Sequence, residues 1–391
     1  LIQGFSCAIV NLMTPRENIE EAFSPGGARE FGAVICYEGI MIRDHWDELT
    51  AAPWWDLYSP DPARQIAWRR DVLRTTGQDW FALEASEPAA ARPHLSVEPA
   101  AEGAIRVDSR TGARSPLRRP AVSGWRPDGA VQSNHSRSCP ATTDEIDALF
   151  PAPPPFDAAA FLKEGRSDMA RSLIAAEPAR LPWGYTLSPL WRVQGPLGFE
   201  SFMTLIAERP ELVERAAERA LAISLDNVRV RAALGARAIW IEECMTDMIH
   251  PDAFARLNVP FMRRLCDRIR ELGMISVYYY CGGMEDRLEA ILDCGADAVG
   301  LEETKKGFRI DIGDVAEAVD GRCALLGNLD AMGLLEHGSE QDLRAELRRQ
   351  ARAGRRNGSR FIFSLGSPVT PGTSMARVRL YTDLAHEEGL H

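Results

Sequence analysis

The sequence places its most reactive side chains directly after short apolar runs. Ile239-Trp240-Ile241 leads into Glu242-Glu243-Cys244, Tyr278-Tyr279-Tyr280 into Cys281-Gly282-Gly283, and Leu301 into Glu302-Glu303. Further on come Gly327-Asn328-Leu329-Asp330 and Ser364-Leu365-Gly366-Ser367-Pro368. Polar groups in such positions are costly to bury unless paired or used. The pairs Glu242/Glu243 and Glu302/Glu303 suit general-acid work, because burial and mutual repulsion raise a carboxyl pKa. The plain alternative turns one member of each pair toward a helix layer, in an ordinary ion pair. Tyr279 and Cys281 are two apart, so on a strand they share a face, with Tyr280 opposite. A thiol and a phenol at one rim can ligate a metal, donate a proton or bind a polar group; otherwise Cys281 is packed and Tyr279 merely hydrogen-bonded. Trp191 and Arg192, after the run Tyr185–Pro189, are candidates to stack on a ring and to hold a substrate carboxylate, or else simple surface packing.

These residues need strands to carry them. From about residue 180, β-rich apolar runs alternate with amphipathic helical patterns, the signature of βα units on a parallel sheet. The expected strands are Trp183–Leu187, Ala238–Glu242, Ile275–Cys281, Ala298–Glu302, Cys323–Gly327 and Arg360–Leu365. They lack polar alternation, as strands covered on both faces do. Helices are expected at Pro210–Leu234 before Gly235, at Asp252–Leu272 before Gly273, and at Ser339–Ala353, which opens on a Ser-x-x-Asp cap and precedes Gly354. Periodicity alone leaves a closed barrel and a doubly wound sheet both open. Residues 1–180 are less regular: a helix at Thr14–Phe23, a first strand at Gly32–Tyr37, and a hairpin within Ala104–Arg118 turning at Gly112. Pro120–Pro155 reads as a loop excursion over one barrel face.

The bulk properties exclude several classes. The chain has 391 residues, 45% of them hydrophobic, enough for one large barrel with insertions. A net charge of −11 argues against nucleic acid or an anionic membrane as partner. No apolar run approaches the ~20 residues of a membrane span, and Leu1-Ile2-Gln3 does not open a signal peptide. The eight cysteines (Cys7, Cys36, Cys139, Cys244, Cys266, Cys281, Cys294 and Cys323) form no Cys-x-x-Cys pair, which points to a reduced, cytoplasmic chain without a zinc finger. No dinucleotide-binding glycine motif or P-loop is present.

Several motifs, in order, resemble the uroporphyrinogen decarboxylase superfamily. Tyr279-Tyr280-Cys281-Gly282-Gly283 resembles the His-x-Cys-Gly strand end of its methyltransferase branch. Leu326-Gly327-Asn328-Leu329-Asp330-Ala331 resembles its Gly-Asn-(Leu/Val)-Asp-Pro turn, and Phe363–Pro371 its Gly-Cys or Gly-His segment before Thr-Pro. The likeness covers roughly residues 180–390, and more loosely Met13–Phe23. It implies an α/β fold: a (β/α)8 barrel of TIM type, akin to that of cobalamin-independent methionine synthase, with an irregular N-terminal elaboration and a hairpin insertion. Residues 1–391 are then one domain, with 1–180 as the elaboration and 181–391 as the main repeats. The Arg-x-Ala-Gly-Arg loop by which porphyrinogen decarboxylases hold substrate carboxylates has no counterpart, since Arg16, Arg29 and Arg43 sit in unrelated contexts.

The resemblance implies a methyltransferase or demethylase. It would remove a methyl group from a small ether, sulfide or amine and pass it to a corrinoid protein or tetrahydrofolate. Tyr279, Cys281, Glu303 and Glu243 would be catalytic; Trp191, Arg192, Glu242, Glu302, Asn328, Asp330 and Ser367 would bind substrate. Zinc-bearing relatives use His-x-Cys, a later Cys and sometimes a Glu. Cys281 and Glu303 match two of these positions, but Tyr279 and Ser367 replace the others and are poor zinc ligands. His250 could add a nitrogen, although a lone loop histidine is more often a cap. No corrinoid-binding Asp-x-His-x-x-Gly is present, so a separate corrinoid protein is the expected partner, and a homodimer is the expected assembly. The competing readings are a decarboxylase of a small organic acid and a metal-free, non-catalytic binding barrel.

Overall fold

In the computed structural model, which describes residues 13–120, 138–305 and 307–390, seven parallel strands curl into a half-barrel. They are β1 (Trp80–Ala82), β5 (Leu181–Leu187), β6 (Ala238–Glu243), β7 (Ile275–Tyr280), β8 (Ala298–Leu301), β9 (Ala324–Leu326) and β10 (Phe361–Ile362), hydrogen-bonded in that order. A separate antiparallel sheet holds β2 (Leu95–Ala100), β3 (Gly103–Asp108) and β4 (Ala113–Leu117). The expected hairpin is thus its second half, turning at Gly112 (φ 70°). The short strand β1 was not foreseen. The chain start, Cys7 and residues 121–137 of the expected excursion lie outside the described residues.

The expected closed eight-stranded barrel is corrected, because among the described residues no eighth strand fills the space between β10 and β1. Residues 32–35 run there, and Ala33 makes a single parallel bridge with Phe363. Val34 N–H donates to Phe363 O and Phe363 N–H to Gly32 O, both at 2.9 Å. On the other side Asp79 N–H donates to Ala33 O at 3.0 Å, and the Asp79 carboxylate accepts from Ala33 N–H at 2.7 Å. A side chain therefore substitutes for ladder bonding. The expected strand Gly32–Tyr37 is cut short because Tyr37 turns into the left-handed region (φ 53°) and starts the helix Glu38–Asp44.

The helix Pro210–Leu234 ends before Gly235 as expected. The helix expected over Asp252–Leu272 breaks at Asn258 into Pro251–Leu257 and Val259–Glu271, since Pro260 lacks the N–H that a continuous helix would use. Ser339 caps Glu340–Arg356 in a capping box with Asp342, and that helix runs through Gly354 rather than stopping there. Aromatic rings fill the interior beneath the strand ends. Trp80, Trp183 and Trp240 lie 5.2–6.2 Å apart, and Tyr279 stacks on Trp240 at 4.5 Å. The floor is a packed core, so chemistry is confined to the rim above it.

Candidate active site

Strand alternation delivers two neighbouring rows to that rim. On β6 Trp240 and Glu242 point inward, with Cys244 next in line; on β7 Tyr279 points inward, with Cys281 next. The Cys244 thiol lies 3.2 Å from Cys281 Sγ and 3.4 Å from Glu242 Oε1. Tyr37, brought in by the left-handed turn, places its Oη 3.0 Å from Cys281 Sγ and donates to Glu242 Oε1 at 3.3 Å. Tyr185, on β5, donates to Glu242 Oε2. Burial, then the nearby thiols and carboxylate, pushes both phenols well above their ordinary range, so both stay protonated donors. Burial likewise raises the Cys281 thiol, against a hydrogen bond from Cys244. Gly300, beside Tyr279 in the β7–β8 register, leaves room for the ring: a Cβ there would lie 2.7 Å from Tyr279 Cδ2.

A second, ionic cluster occupies the adjoining rim. Lys305 Nζ lies 3.0 Å from Glu302 Oε1 and 3.2 Å from Glu303 Oε1, and it donates to Ser367 Oγ, which itself bonds Glu303. Burial pulls the Lys305 amine down, but Glu303 and Glu302 pull it up further, so it stays charged. Tyr279 Oη donates to Gly366 O at 2.7 Å and the Cys36 thiol to Ser367 O at 3.2 Å, tying the two clusters through one loop.

Of the residues singled out from the sequence, Tyr279, Cys281, Glu242, Glu302, Glu303 and Ser367 lie in these two clusters or directly beneath them. Others do not. Glu243 faces the helix layer, fully buried, where it accepts from Tyr278 Oη at 3.2 Å. Burial pushes its carboxyl up to about 8 despite hydrogen bonds from Ser188, Tyr278 and Asn258. Its expected catalytic role is therefore corrected to a packing role. Arg192 is bound to Ser224 Oγ at 3.0 Å and to Thr186 Oγ1 at 3.3 Å, outside the strand layer, so it is not placed to hold a substrate carboxylate. Trp191 is half-buried at the start of the helix Pro189–Leu197, its N–H donating to Ser188 Oγ. Asn328 holds loops together by donating to Glu302 O and Ile310 O, each at 3.1 Å. Asp330 caps the turn Ala331–Leu335, and exposed His250 caps Pro251–Leu257, so neither reaches the rim.

The zinc shell implied by resemblance does not fit these donors. Tyr279 Oη and Ser367 Oγ are neutral hydroxyls already committed to Gly366 and to Glu303 with Lys305. Of the expected pair Cys281 and Glu303, Glu303 Oε1 is engaged by Lys305 and Ser367, whereas Cys281 stands beside Glu242 and Cys244. Among the described residues, the group of three potential ligands is Glu242, Cys244 and Cys281, whose ligand atoms lie within 4.8 Å of one another. Cys244 was legible: the i, i+2 rule applied to Tyr279 and Cys281 also pairs it with Glu242 one strand earlier. Lys305, three residues after Glu302, was legible as its counter-ion. Tyr37 carried no local signal.

Comparison with known proteins agrees with this architecture. A family model, Uroporphyrinogen decarboxylase (URO-D), matches residues 188–388. The chain is 29% identical over 193 residues to a uroporphyrinogen decarboxylase of Methylococcus capsulatus, covering 48% of this chain and 52% of that protein. It is 32% identical over 157 residues to the one of Azotobacter vinelandii, covering 39% and 42%. The matched stretch thus spans about half the length of these relatives or less. A methyltransferase from Methanosarcina mazei shares the fold, with a TM-score of 0.64 and 17% identity over 96% of this chain and 99% of that one. Among the described residues no helix is long and apolar enough to cross a membrane.

Proposed function

The chain belongs to the uroporphyrinogen decarboxylase family, and from that premise we propose that it is a methyltransferase or demethylase. It removes a methyl group from a small ether, sulfide or amine, with a corrinoid (on a separate protein) or tetrahydrofolate as the methyl-accepting co-substrate. One observation carries the reading: Tyr37 and Tyr185 converge on Glu242 beside two thiols, over an aromatic floor. The co-substrate supplies the nucleophile. The protein must hold the methylated group in line and stabilise the charge that develops on the departing heteroatom. Two protonated phenols can donate hydrogen bonds to that atom when it takes the place of Glu242 as acceptor. The aromatic floor suits a small apolar methyl group and keeps water from below.

The names of the curated relatives favour a second reading, decarboxylation of a small organic acid. That chemistry asks for a cation able to hold a carboxylate. Lys305 is engaged by Glu302 and Glu303, and Arg192 by Ser224 and Thr186, which weighs against it.

The test supplies the full chain with isotope-labelled methoxy, methylthio and methylamino compounds and either reduced corrinoid or tetrahydrofolate. Labelled methyl on the acceptor is expected, with a rate at least about 100-fold lower in Tyr185→Phe, in the range for one lost donor to a developing charge. Release of carbon dioxide from an organic acid without any acceptor would overturn the reading in favour of the second. Ligand binding with neither reaction would overturn both.

A further inference from the structure

We propose that Glu242, Cys244 and Cys281 form a binding site for a single borderline-soft divalent cation of the zinc type. The inference rests on the reading of this rim as the reaction site; it keeps Cys281 from the positions that the family resemblance implies and takes its other two ligands from β6, in place of the implied His and second Cys positions. Those positions hold Tyr279 and Ser367, both committed elsewhere. The new set takes two ligands from the end of β6 and one from the end of β7. Parallel neighbours in register bring the two cysteines side by side, with Cys281 N–H donating to Glu243 O at 2.9 Å.

The distances suit one ion. Two sulfurs bound tetrahedrally to a common zinc at ~2.3 Å stand about 3.8 Å apart, and a sulfur and a carboxylate oxygen about 3.6 Å. Here the sulfurs are 3.2 Å apart and Cys244 Sγ is 3.4 Å from Glu242 Oε1. Rotation of the two thiols opens the first distance without moving the backbone. Two thiolates and a carboxylate give three protein ligands, which leaves one position for water or a substrate heteroatom, the pattern of reactive rather than purely structural sites. Outer donors are in place. Before a substrate heteroatom takes over its hydrogen bond, Tyr185 orients the Glu242 carboxylate, and Tyr37 lies beside Cys281 Sγ, as partners orienting ligands usually do. The chosen donor types select zinc or cobalt over magnesium or calcium, which take oxygen shells.

The experiment loads the reduced full chain with zinc or with cobalt(II), removes free metal and measures metal per chain. About one equivalent of either is expected, and the cobalt form should show thiolate-to-cobalt charge-transfer absorption. That absorption should fall by about half in Cys244→Ser and in Cys281→Ser, while Glu242→Gln keeps it but binds at least about tenfold more weakly. Glu303→Gln and Ser367→Ala should match the parent. Circular dichroism of each variant shows that loss of metal is not loss of fold. No retained metal, a Cys244→Ser protein with undiminished absorption, or a Cys244–Cys281 disulfide recovered in place of metal overturns the site. Metal binding is read without turnover, so the two readings fail separately. Stoichiometric metal with no methyl transfer sinks only the proposed function, and methyl transfer by a chain that retains no metal on loading sinks only the site.

Discussion

Glu242 and Glu243 are adjacent in the chain, yet one lies in a ring of phenols and thiols and the other in a sealed layer between strand and helix. Period-two alternation makes that split inevitable, and it is legible from sequence. Which of the two faces inward is not, because that depends on the sheet's curl. Glu38 shows the same dependence. It is buried, accepts from Ala82 N–H at 3.2 Å, and burial pushes its carboxyl up to about 7, against that hydrogen bond and the Arg69 charge. A carboxyl with a raised folded pKa binds its proton more tightly in the folded state, so stability falls as pH rises from about 4.5 to about 7 and then levels. The loss is on the order of 3 kcal/mol. Glu38→Gln should remove most of this slope, so thermal melts of parent and variant should converge at pH 5 and diverge at pH 8, with the variant higher. Equal slopes would mean that Glu38 does not titrate this way. Gly300→Ala addresses packing instead. Its Cβ would press on the Tyr279 ring, itself wedged against Trp240, and should cost about 1–3 kcal/mol in urea unfolding.

Elements place these residues, and between β10 and β1 the join is made by residues 32–35 through an isolated bridge rather than a paired strand. There the Asp79 carboxylate accepts from Ala33 N–H at 2.7 Å and from His386 Nε2 at 2.8 Å, fastening residues 32–35 and the C-terminal helix Met375–Gly389 to the sheet. Asp79→Ala leaves a buried N–H unsatisfied and should destabilise by about 1–3 kcal/mol. Burial lowers the His386 pKa, but the bond to Asp79 and its charge raise it further, to a net value above normal. A raised histidine contributes stability below its unfolded pKa and loses it as pH rises through the folded one. The penalty of Asp79→Ala should therefore be larger at pH 6 than at pH 9, read from urea midpoints; the same penalty at both would show that the charged pair is idle. The strands β5 to β10 and the long helices were legible because their apolar runs and stop signals are local. β1 and the bridge at Ala33 were not. They are too short to carry a period, and their partners lie across the whole chain.

At the scale of the molecule, one buried core runs from Ile19 to Ala385, joining the irregular N-terminal part to the regular repeats. β1 pairs with β5 across the boundary near residue 180, and the C-terminal helix packs on the helix Pro62–Thr76. We therefore expect residues 1–391 to behave as a single folding unit. A fragment of residues 181–391 should show no cooperative melt by circular dichroism, because β5 and β10 would both become bare edges; a sharp transition would divide the chain into two domains. The amino-acid order alone determined the parallel βα repeats, the family and the strand-end positions where chemistry can sit, since all three are written in local period, caps and short motifs. Only the tertiary structure decided that the ring lacks an eighth strand among the described residues, and that Tyr37 and Tyr185 meet Glu242 beside Cys244 and Cys281. Contacts such as that of Tyr37 with Glu242, 205 positions apart, depend on how the sheet curls, and no local pattern encodes that angle.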